Sequence, residues 1–286
     1  MNVFGNPNHF PPILYHAWEY LSIKGPDKLE TVWSQLAPPS FAETAHDNVK
    51  DTIKLGLAMG VLEERDSLLY PGSHLNGVVD YNSFRRSVRD LYFNQLLHPI
   101  EEEKSSAGNL QLASAWYFSF SVEESPRTWS EVQRHLERDY PGKRGDWPVP
   151  NPTQWGLFVR WMRFFGLVVA TSRRNNEKLL GPLVNEVLED TIETSLGDSD
   201  LQLDDFLSSL VSRMPSFPGG SISAHLPERA RTRSPRNNAL LATALQQKVS
   251  EGLIELTRSP DSPNRQVFVG TSREFAYDFI RRGNGK

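Results

Sequence analysis

The chain has 286 residues, 38% of them hydrophobic and 23% charged, and this composition excludes wholesale disorder and a collagen-like chain. It contains no cysteine, which excludes disulfides, thiolate zinc sites, iron–sulfur clusters and a cysteine nucleophile. The formal net charge of −4 argues against indiscriminate binding to nucleic acid. The apolar runs are far shorter than the roughly 20 residues of a membrane span, and the first ten residues lack a signal-peptide pattern, so we expect a cytoplasmic prokaryotic protein that does not associate with a membrane.

One local pattern occurs three times along the chain. An amphipathic helix ends at a glycine, β-prone residues follow, and a second short apolar stretch returns after a polar tip; the three glycines are Gly60, Gly166 and Gly252. Glycine closes a helix well because it adopts the left-handed conformation, and two short strands around a polar tip predict a β-hairpin. The returning strands are expected at 68–71, 178–182 and 265–269. A helix closed by glycine and followed directly by a hairpin is typical of a winged helix.

Further helices are predicted around these three copies from apolar residues at three-to-four spacing. Short helices preceding the copies are expected at 12–24, 28–36, 110–120, 130–138 and 203–211. Linking helices are expected at 80–97 and 183–196. The spacing of Ser130 and Gln133 predicts a capping pattern that opens one of these helices.

The resulting fold class is mainly α with small β-hairpins, an α+β protein of three tandem winged-helix domains joined by amphipathic linking helices. We place winged helix 1 at 1–78, a linking helix with winged helix 2 at 79–198, and winged helix 3 at 199–286. Charge differs among them: 1–78 carries 5 basic and 9 acidic residues, whereas 199–286 carries 12 basic and 9 acidic residues. The basic domain is therefore the C-terminal one.

The third domain carries the sharpest candidate for DNA contact. An arginine run directly precedes its last helix: Arg229, Arg231, Arg233 and Arg236. Residues entering a recognition helix dock phosphates, and polar side chains on its first turns meet base edges in the major groove. The base-reading candidates are Asn237, Asn238 and Gln246, and the wing candidates are Arg258 and Arg265. A solvated arginine-rich loop and a contact with a protein partner remain the alternatives.

The second domain offers a weaker DNA face. Its candidates are Lys143 and Arg144 before the helix, Arg160 and Arg163 on it, and Arg173 and Arg174 on the wing. Aromatic residues crowd the same helix, and we expect them to pack in a core rather than to stack on bases. The acidic first domain is a better candidate for binding a protein partner, with Tyr15, Trp18 and Trp33 as anchors.

Catalytic motifs are not found. The seven histidines form no His-x-x-x-His or His-Glu-x-x-His pair, and the pair Asp204–Asp205 has no Glu-x-Lys partner on a following strand. We therefore expect no enzymatic activity, no metal and no cofactor.

The opening residues Asn2–Pro7, the first helix–glycine–hairpin unit after them and the three-unit layout resemble the DpdG proteins of bacterial Dpd clusters, which combine 7-deazaguanine modification of DNA with restriction of foreign DNA. The resemblance implies a non-enzymatic subunit that works beside a separate nuclease, helicase or ATPase in antiviral defence. Our first hypothesis is a winged-helix subunit that binds double-stranded DNA within a multi-subunit restriction system. A winged-helix scaffold or adaptor that recruits nuclease or ATPase partners is the alternative, and a transcriptional regulator is the second one. Formation of a homo-oligomer stays open.

Overall fold

The computed structural model describes residues 9–38, 40, 43–94, 106–142, 144–172, 178–197, 199–231, 238–258, 267–269 and 274–283. This part of the chain is mainly helical with small antiparallel sheets, which confirms the α+β class. None of its helices is both long and apolar enough to cross a membrane.

The helices and strands follow one another closely along the chain. The helices are α1 Pro11–Lys24, α2 Leu29–Leu36, α3 Glu43–Ala58, α4 Tyr81–Asn94, α5 Ser106–Phe118, α6 Trp129–Asp139, α7 Pro152–Phe164, α8 Asn185–Ser195, α9 Leu203–Arg213 and α10 Ala239–Ser250. The strands are β1 Leu62–Arg65, β2 Leu68–Pro71, β3 Val168–Ser172, β4 Lys178–Pro182, β5 Leu201–Gln202, β6 Ile254–Thr257, β7 Val267–Val269, β8 Glu274–Ala276 and β9 Phe279–Arg282. Short 3-10 turns lie at Ser73–Leu75, Arg144–Asp146, Ser223–His225 and Glu228–Ala230.

Helix α6 begins one residue before the prediction and is capped differently. The N-cap is Thr128, whose hydroxyl accepts a hydrogen bond from the Glu131 N–H, while the Glu131 carboxylate accepts one from the Thr128 N–H at 3.1 Å. The predicted pattern at Ser130 and Gln133 was therefore wrong by two residues. A carboxylate at the third helical position is the stronger partner because it bears a full negative charge beside the positive end of the helix dipole.

The three predicted glycines close their helices in the same way. Gly60, Gly166 and Gly252 each have a φ of 72°, in the left-handed region that favours glycine. At two of these ends the next amide donates back into the helix, from Val61 to the Gly56 carbonyl at 2.9 Å and from Leu253 to the Lys248 carbonyl at 3.0 Å. Such a bond across six residues satisfies a carbonyl that the helix leaves open at its end.

The chain then returns to the same point in all three copies. The carbonyl of the residue after each glycine accepts a hydrogen bond from the end of the returning segment: Gly72 to Val61 at 2.9 Å, Leu183 to Leu167 at 2.8 Å and Gly283 to Leu253 at 2.9 Å. In the first and second copies the hairpins are the predicted ones, β1 with β2 and β3 with β4. The copies therefore share their closure as well as their helix ends.

The third copy closes with a different strand from the predicted one. The predicted return at 265–269 contributes β7, which pairs with β8, whereas β6 pairs with β9 in a three-stranded sheet of order β5-β9-β6. Ile280 of β9 is fully buried and lies opposite Leu256, while Arg281 on the other face pairs with Glu255. The hairpin β7–β8 is thus an insertion within the third copy, and β7 packs against α10.

The described chain divides into two compact units that are discontinuous in sequence. Unit 1 comprises 1–110 and 151–165, and unit 2 comprises 111–150 and 166–286. Helix α7 belongs to unit 1 because its aromatic side chains pack on α4: the Phe165 ring stacks on Tyr92 at 5.5 Å, and Phe164 lies 6.3 Å from Phe84. The predicted boundaries after 78 and 198 do not coincide with this division. The aromatic residues of α7 form a core, as expected.

Candidate nucleic-acid interface

The structure describes about half of the predicted DNA contacts. Those outside the described residues are Lys143, Arg173, Arg174, Arg233, Arg236, Asn237 and Arg265. The described ones lie in both units: Arg160 and Arg163 in unit 1, and Arg144, Arg229, Arg231, Asn238, Gln246 and Arg258 in unit 2. The predicted residues that the structure describes are therefore divided between the two units.

Asn238 is the N-cap of α10 and has a structural role. Its Oδ1 accepts a hydrogen bond from the Leu241 N–H at 2.9 Å, and its Nδ2 donates to the Phe118 carbonyl at 2.8 Å. The residue is only 4% exposed. In this conformation its amide has no free edge for a base, so we withdraw Asn238 from the base-reading set.

The two described arginines of the run have different surroundings. The Arg231 guanidinium donates to the carbonyls of Ala224 and Leu226, the latter at 2.9 Å, so it holds the preceding turn together. Arg229 is exposed and makes no hydrogen bond or ion pair with the described residues. Both line a cleft of about 290 Å³ with residues from the end of α5 and from α6.

That cleft has mixed charge. Its wall carries Asp139, which is buried and accepts hydrogen bonds from Trp116 Nε1 at 2.9 Å and from Arg138 Nε at 2.7 Å. The hydrogen bond from Arg138 to Asp139 raises the pKa of the Arg138 guanidinium. Burial, and then the charge of Arg138, lower the pKa of His135, which favours its neutral imidazole. With Asp139 and Glu124 among its lining residues, the cleft is a poor site for phosphate.

The exposed face of α10 is uncharged and mostly polar. It carries Thr243, Gln246, Gln247 and Ser250, together with Val249, which is 39% exposed. The one lysine of the helix, Lys248, is buried and donates to Glu189 at 2.5 Å and to Glu251 at 2.7 Å. Burial alone lowers the pKa of Lys248, but the bonds to the two carboxylates outweigh it, and the pKa is raised. Lys248 therefore belongs to the packing of unit 2 and offers no charge to a ligand.

Gln246 differs from its neighbours on this face. The Gln247 side chain donates to Glu251 at 2.7 Å and accepts from Asn185 at 3.3 Å, whereas the Gln246 side chain makes no hydrogen bond with the described residues. A glutamine amide that is exposed and uncommitted has both its donor and its acceptor available for an adenine edge.

Comparison with known proteins identifies a protein family for this chain. The model of a family described as DpdG-like matches residues 1–262. The chain belongs to the DpdG-like family. Comparison with curated proteins and with solved structures found no match. Membership links this DpdG-like chain to the Dpd modification systems of bacteria, which consist of several subunits. The matched range includes α10 and β6 and ends before β7.

Sequence reasoning missed the cations of β9 in this DpdG-like chain. Arg282 is exposed at the end of that strand and its side chain makes no hydrogen bond or ion pair with the described residues, while Arg281 is paired with Glu255 at 2.9 Å. Arg258, which follows β6, is also exposed, and its guanidinium lies 5.9 Å from the centre of the Tyr277 ring. The available signal was Phe279–Arg282 itself, in which a buried Ile280 is followed by two exposed arginines.

Two of the cations predicted for the second copy, Arg160 and Arg144, have contacts within their own units. Arg160 of α7 is half-buried: its Nη1 donates to the His9 carbonyl at 3.1 Å, and its guanidinium lies 4.1 Å from the centre of the Phe10 ring. Burial lowers the pKa of Arg160. Arg144 is exposed, 3.9 Å from Glu137, and lies 5.5 Å from the centre of the Trp147 ring.

Proposed function

We propose that this DpdG-like chain is a non-enzymatic tandem winged-helix subunit of a bacterial Dpd restriction system, and that it binds double-stranded DNA through β5, α9, α10 and β6–β9. Three copies of one helix–glycine–hairpin closure support the winged-helix assignment. In the third copy, the sheet order β5-β9-β6 places the returning strand between its two neighbours, as a winged helix requires.

The observation that carries the proposal is the division of charge around α10. The exposed face of the helix is uncharged and includes the uncommitted Gln246, whereas exposed arginines precede and follow it in the chain: Arg229 before it, and Arg258 and Arg282 after it. Base edges are read by neutral amides and by arginine, and phosphates attract guanidinium groups. A polar reading helix with cations on the flanking segments therefore fits a duplex better than it fits a protein surface.

The test compares two variants of equal net charge. The first is the triple variant Arg229→Ala, Arg258→Ala and Arg282→Ala. The second is the control triple variant Lys24→Ala, Lys28→Ala and Lys54→Ala, which removes three exposed cations from unit 1. Duplex binding is titrated across a range of salt concentrations. In the arginine variant, the magnitude of the slope of log K against log salt should fall by about 0.9 for each phosphate contact that is lost. In the control variant this slope should stay unchanged.

Equal slopes in wild type and in the arginine variant, with the fold intact by circular dichroism, would refute DNA binding by the third copy. If both triple variants lost the same amount of DNA affinity, the loss would reflect a general effect of net charge. In either case, the scaffold alternative would become the first hypothesis.

A further inference from the structure

Unit 1 contains an open groove of about 500 Å³ between the start of α1, the start of α4 and one face of α7. Its lining is largely apolar and includes Pro12, Val159 and Tyr81, which is 40% exposed. The described residues that line the groove include two arginines, Arg160 and Arg163, and no carboxylate. The groove is therefore apolar at its base and positive at its side.

Gly156 forms part of this groove, and packing does not explain it. Glycine in a helix interior is unfavourable relative to alanine, and a fold keeps it where a neighbour comes close. Gly56 of α3 is such a case, because a Cβ there would lie 2.5 Å from the Leu14 side chain. A Cβ on Gly156 would meet no described heavy atom within 4 Å, and its φ is not positive. Among the described residues, no neighbour requires the missing side chain, and its absence leaves the groove open at the helix backbone.

The two arginines are held differently. Arg160 is positioned by the His9 carbonyl and the Phe10 ring, so little conformational freedom remains for it to lose on binding. Arg163 is exposed one turn further along α7 and makes no hydrogen bond or ion pair with the described residues. Guanidinium groups in this position recognise planar anions such as carboxylates.

A nucleic acid fits the groove less well than a peptide. Helix α1 packs along α7, so α7 does not protrude as a helix must in order to enter a major groove. Binding of single strands relies on several aromatic platforms, and the lining offers one substantially exposed ring, Tyr81. Proline and aliphatic walls suit an apolar side chain instead.

We propose that this groove binds an acidic peptide segment of a partner protein, with an apolar or aromatic side chain seated against Gly156 and flanking carboxylates on Arg163 and Arg160. The interaction is independent of DNA binding by the third copy. It gives a defined basic site to unit 1, which carries 11 basic and 14 acidic residues.

The test begins with random peptides displayed on phage, selected on the full chain and counter-selected on the variant Gly156→Gln. Glutamine favours helix, carries no charge and fills the groove. Enriched peptides should contain an apolar or aromatic residue beside Asp or Glu. The strongest of them, labelled with fluorescein, is then titrated by anisotropy against each variant.

The affinity should fall by about tenfold or more in Gly156→Gln and in Arg163→Glu. It should stay within about threefold of wild type in the control charge reversal Lys54→Glu, which lies on α3 outside the groove. Circular dichroism establishes that every variant is folded. The proposal fails if no peptide is enriched, if the enriched peptides are basic, or if Gly156→Gln binds them as well as wild type does. It fails equally if a single-stranded oligothymidylate binds and Gly156→Gln abolishes that binding, because the groove would then take nucleic acid.

Discussion

Asn238 holds the start of α10, and this role decides what its replacement does. Asn238→Ala removes the bond to the Leu241 N–H and leaves the Phe118 carbonyl without its donor. We expect the free energy of unfolding to fall by about 1–2 kcal/mol in urea titrations, with no change in the DNA affinity of the folded protein.

Gln246→Ala should behave in the opposite way. The side chain is exposed and uncommitted, so stability should stay within about 0.5 kcal/mol of wild type. A preferred duplex should lose about 1–3 kcal/mol of binding free energy, and random DNA much less, because a base-edge contact carries sequence information. Gel shifts on both DNAs measure this difference. Equal losses on the two DNAs would mean that Gln246 does not read a base.

Glu63 on β1 makes stability depend on pH. Its carboxylate accepts a hydrogen bond from the Ser73 N–H at 2.7 Å and pairs with Arg65, and these contacts lower its pKa from 4.5 to about 2. Because the folded pKa is the lower one, the stabilisation is fully present above pH 4.5 and is lost as the pH falls towards 2. The free energies of unfolding of wild type and of Glu63→Gln should therefore differ most near neutral pH and become equal in acid. A constant difference between them across this range would contradict the assignment.

The sequence was informative about residue type at these positions and uninformative about their partners. An asparagine before a helix is equally typical of a base reader and of an N-cap. The bond that decides between them joins Asn238 to Phe118, 120 residues earlier. Arg231 is a similar case, since its carbonyl partners lie in a turn that carries no sequence signature.

The glycines that end the returning segments are the clearest structural requirement at the level of elements. A Cβ on Gly72 would lie 2.0 Å from the Gly60 carbonyl oxygen, and a Cβ on Gly283 would lie 2.1 Å from that of Gly252. Gly72→Ala and Gly283→Ala should each destabilise by about 1–3 kcal/mol, because backbone must move in order to relieve the contact. Gly156→Ala is the matched control and should raise stability by about 0.5–1 kcal/mol. Thermal unfolding of the three variants compares their stabilities. A loss of stability in Gly156→Ala would show that this helix position is constrained.

Local signals predicted most elements, and long-range pairing accounts for the errors. Helix ends at Gly60, Gly166 and Gly252 need only a glycine after an apolar periodic stretch, and all three were predicted. Two segments, at 267–269 and at 279–282, could pair with β6. The sequence prediction chose the segment nearer in the chain, whereas the structure pairs β6 with the farther one. Burial of Ile280 against Leu256, which decides the pairing, cannot be read from either segment alone.

At the scale of the whole molecule, α7 is the helix whose packing differs most from its position in the sequence. Sequence order places it with the second winged helix, whereas the compact units place it in unit 1. It follows α6 directly and precedes β3, yet its aromatic face packs on α4 in unit 1. Periodicity predicted that this face is buried but could not say against which element. The three-domain division therefore remains a description of sequence modules, while the compact units follow from packing.

A truncation experiment follows from this arrangement. Removing 1–78 deletes α1 and its contacts with α7, and the Phe84 ring of α4 loses its contacts with Trp18 and Tyr15. We expect the fragment 79–286 to bind the dye ANS and to aggregate, whereas the point variants stay soluble. Dye fluorescence and gel filtration measure this. A soluble fragment that does not bind ANS would show that α7 and α4 are covered without α1.

The discontinuous units also set an order of events on the ribosome. Unit 1 lacks the last part of its core until residue 165 has been made, and by then residues 111–150, which belong to unit 2, have already emerged. Those 40 residues must wait for partners that end with β9, near the end of the chain. Domains fold as units during synthesis, in the order in which they are completed. Helix α6 and the part of α5 after residue 110 are thus segments of the nascent chain that stay long without their final neighbours.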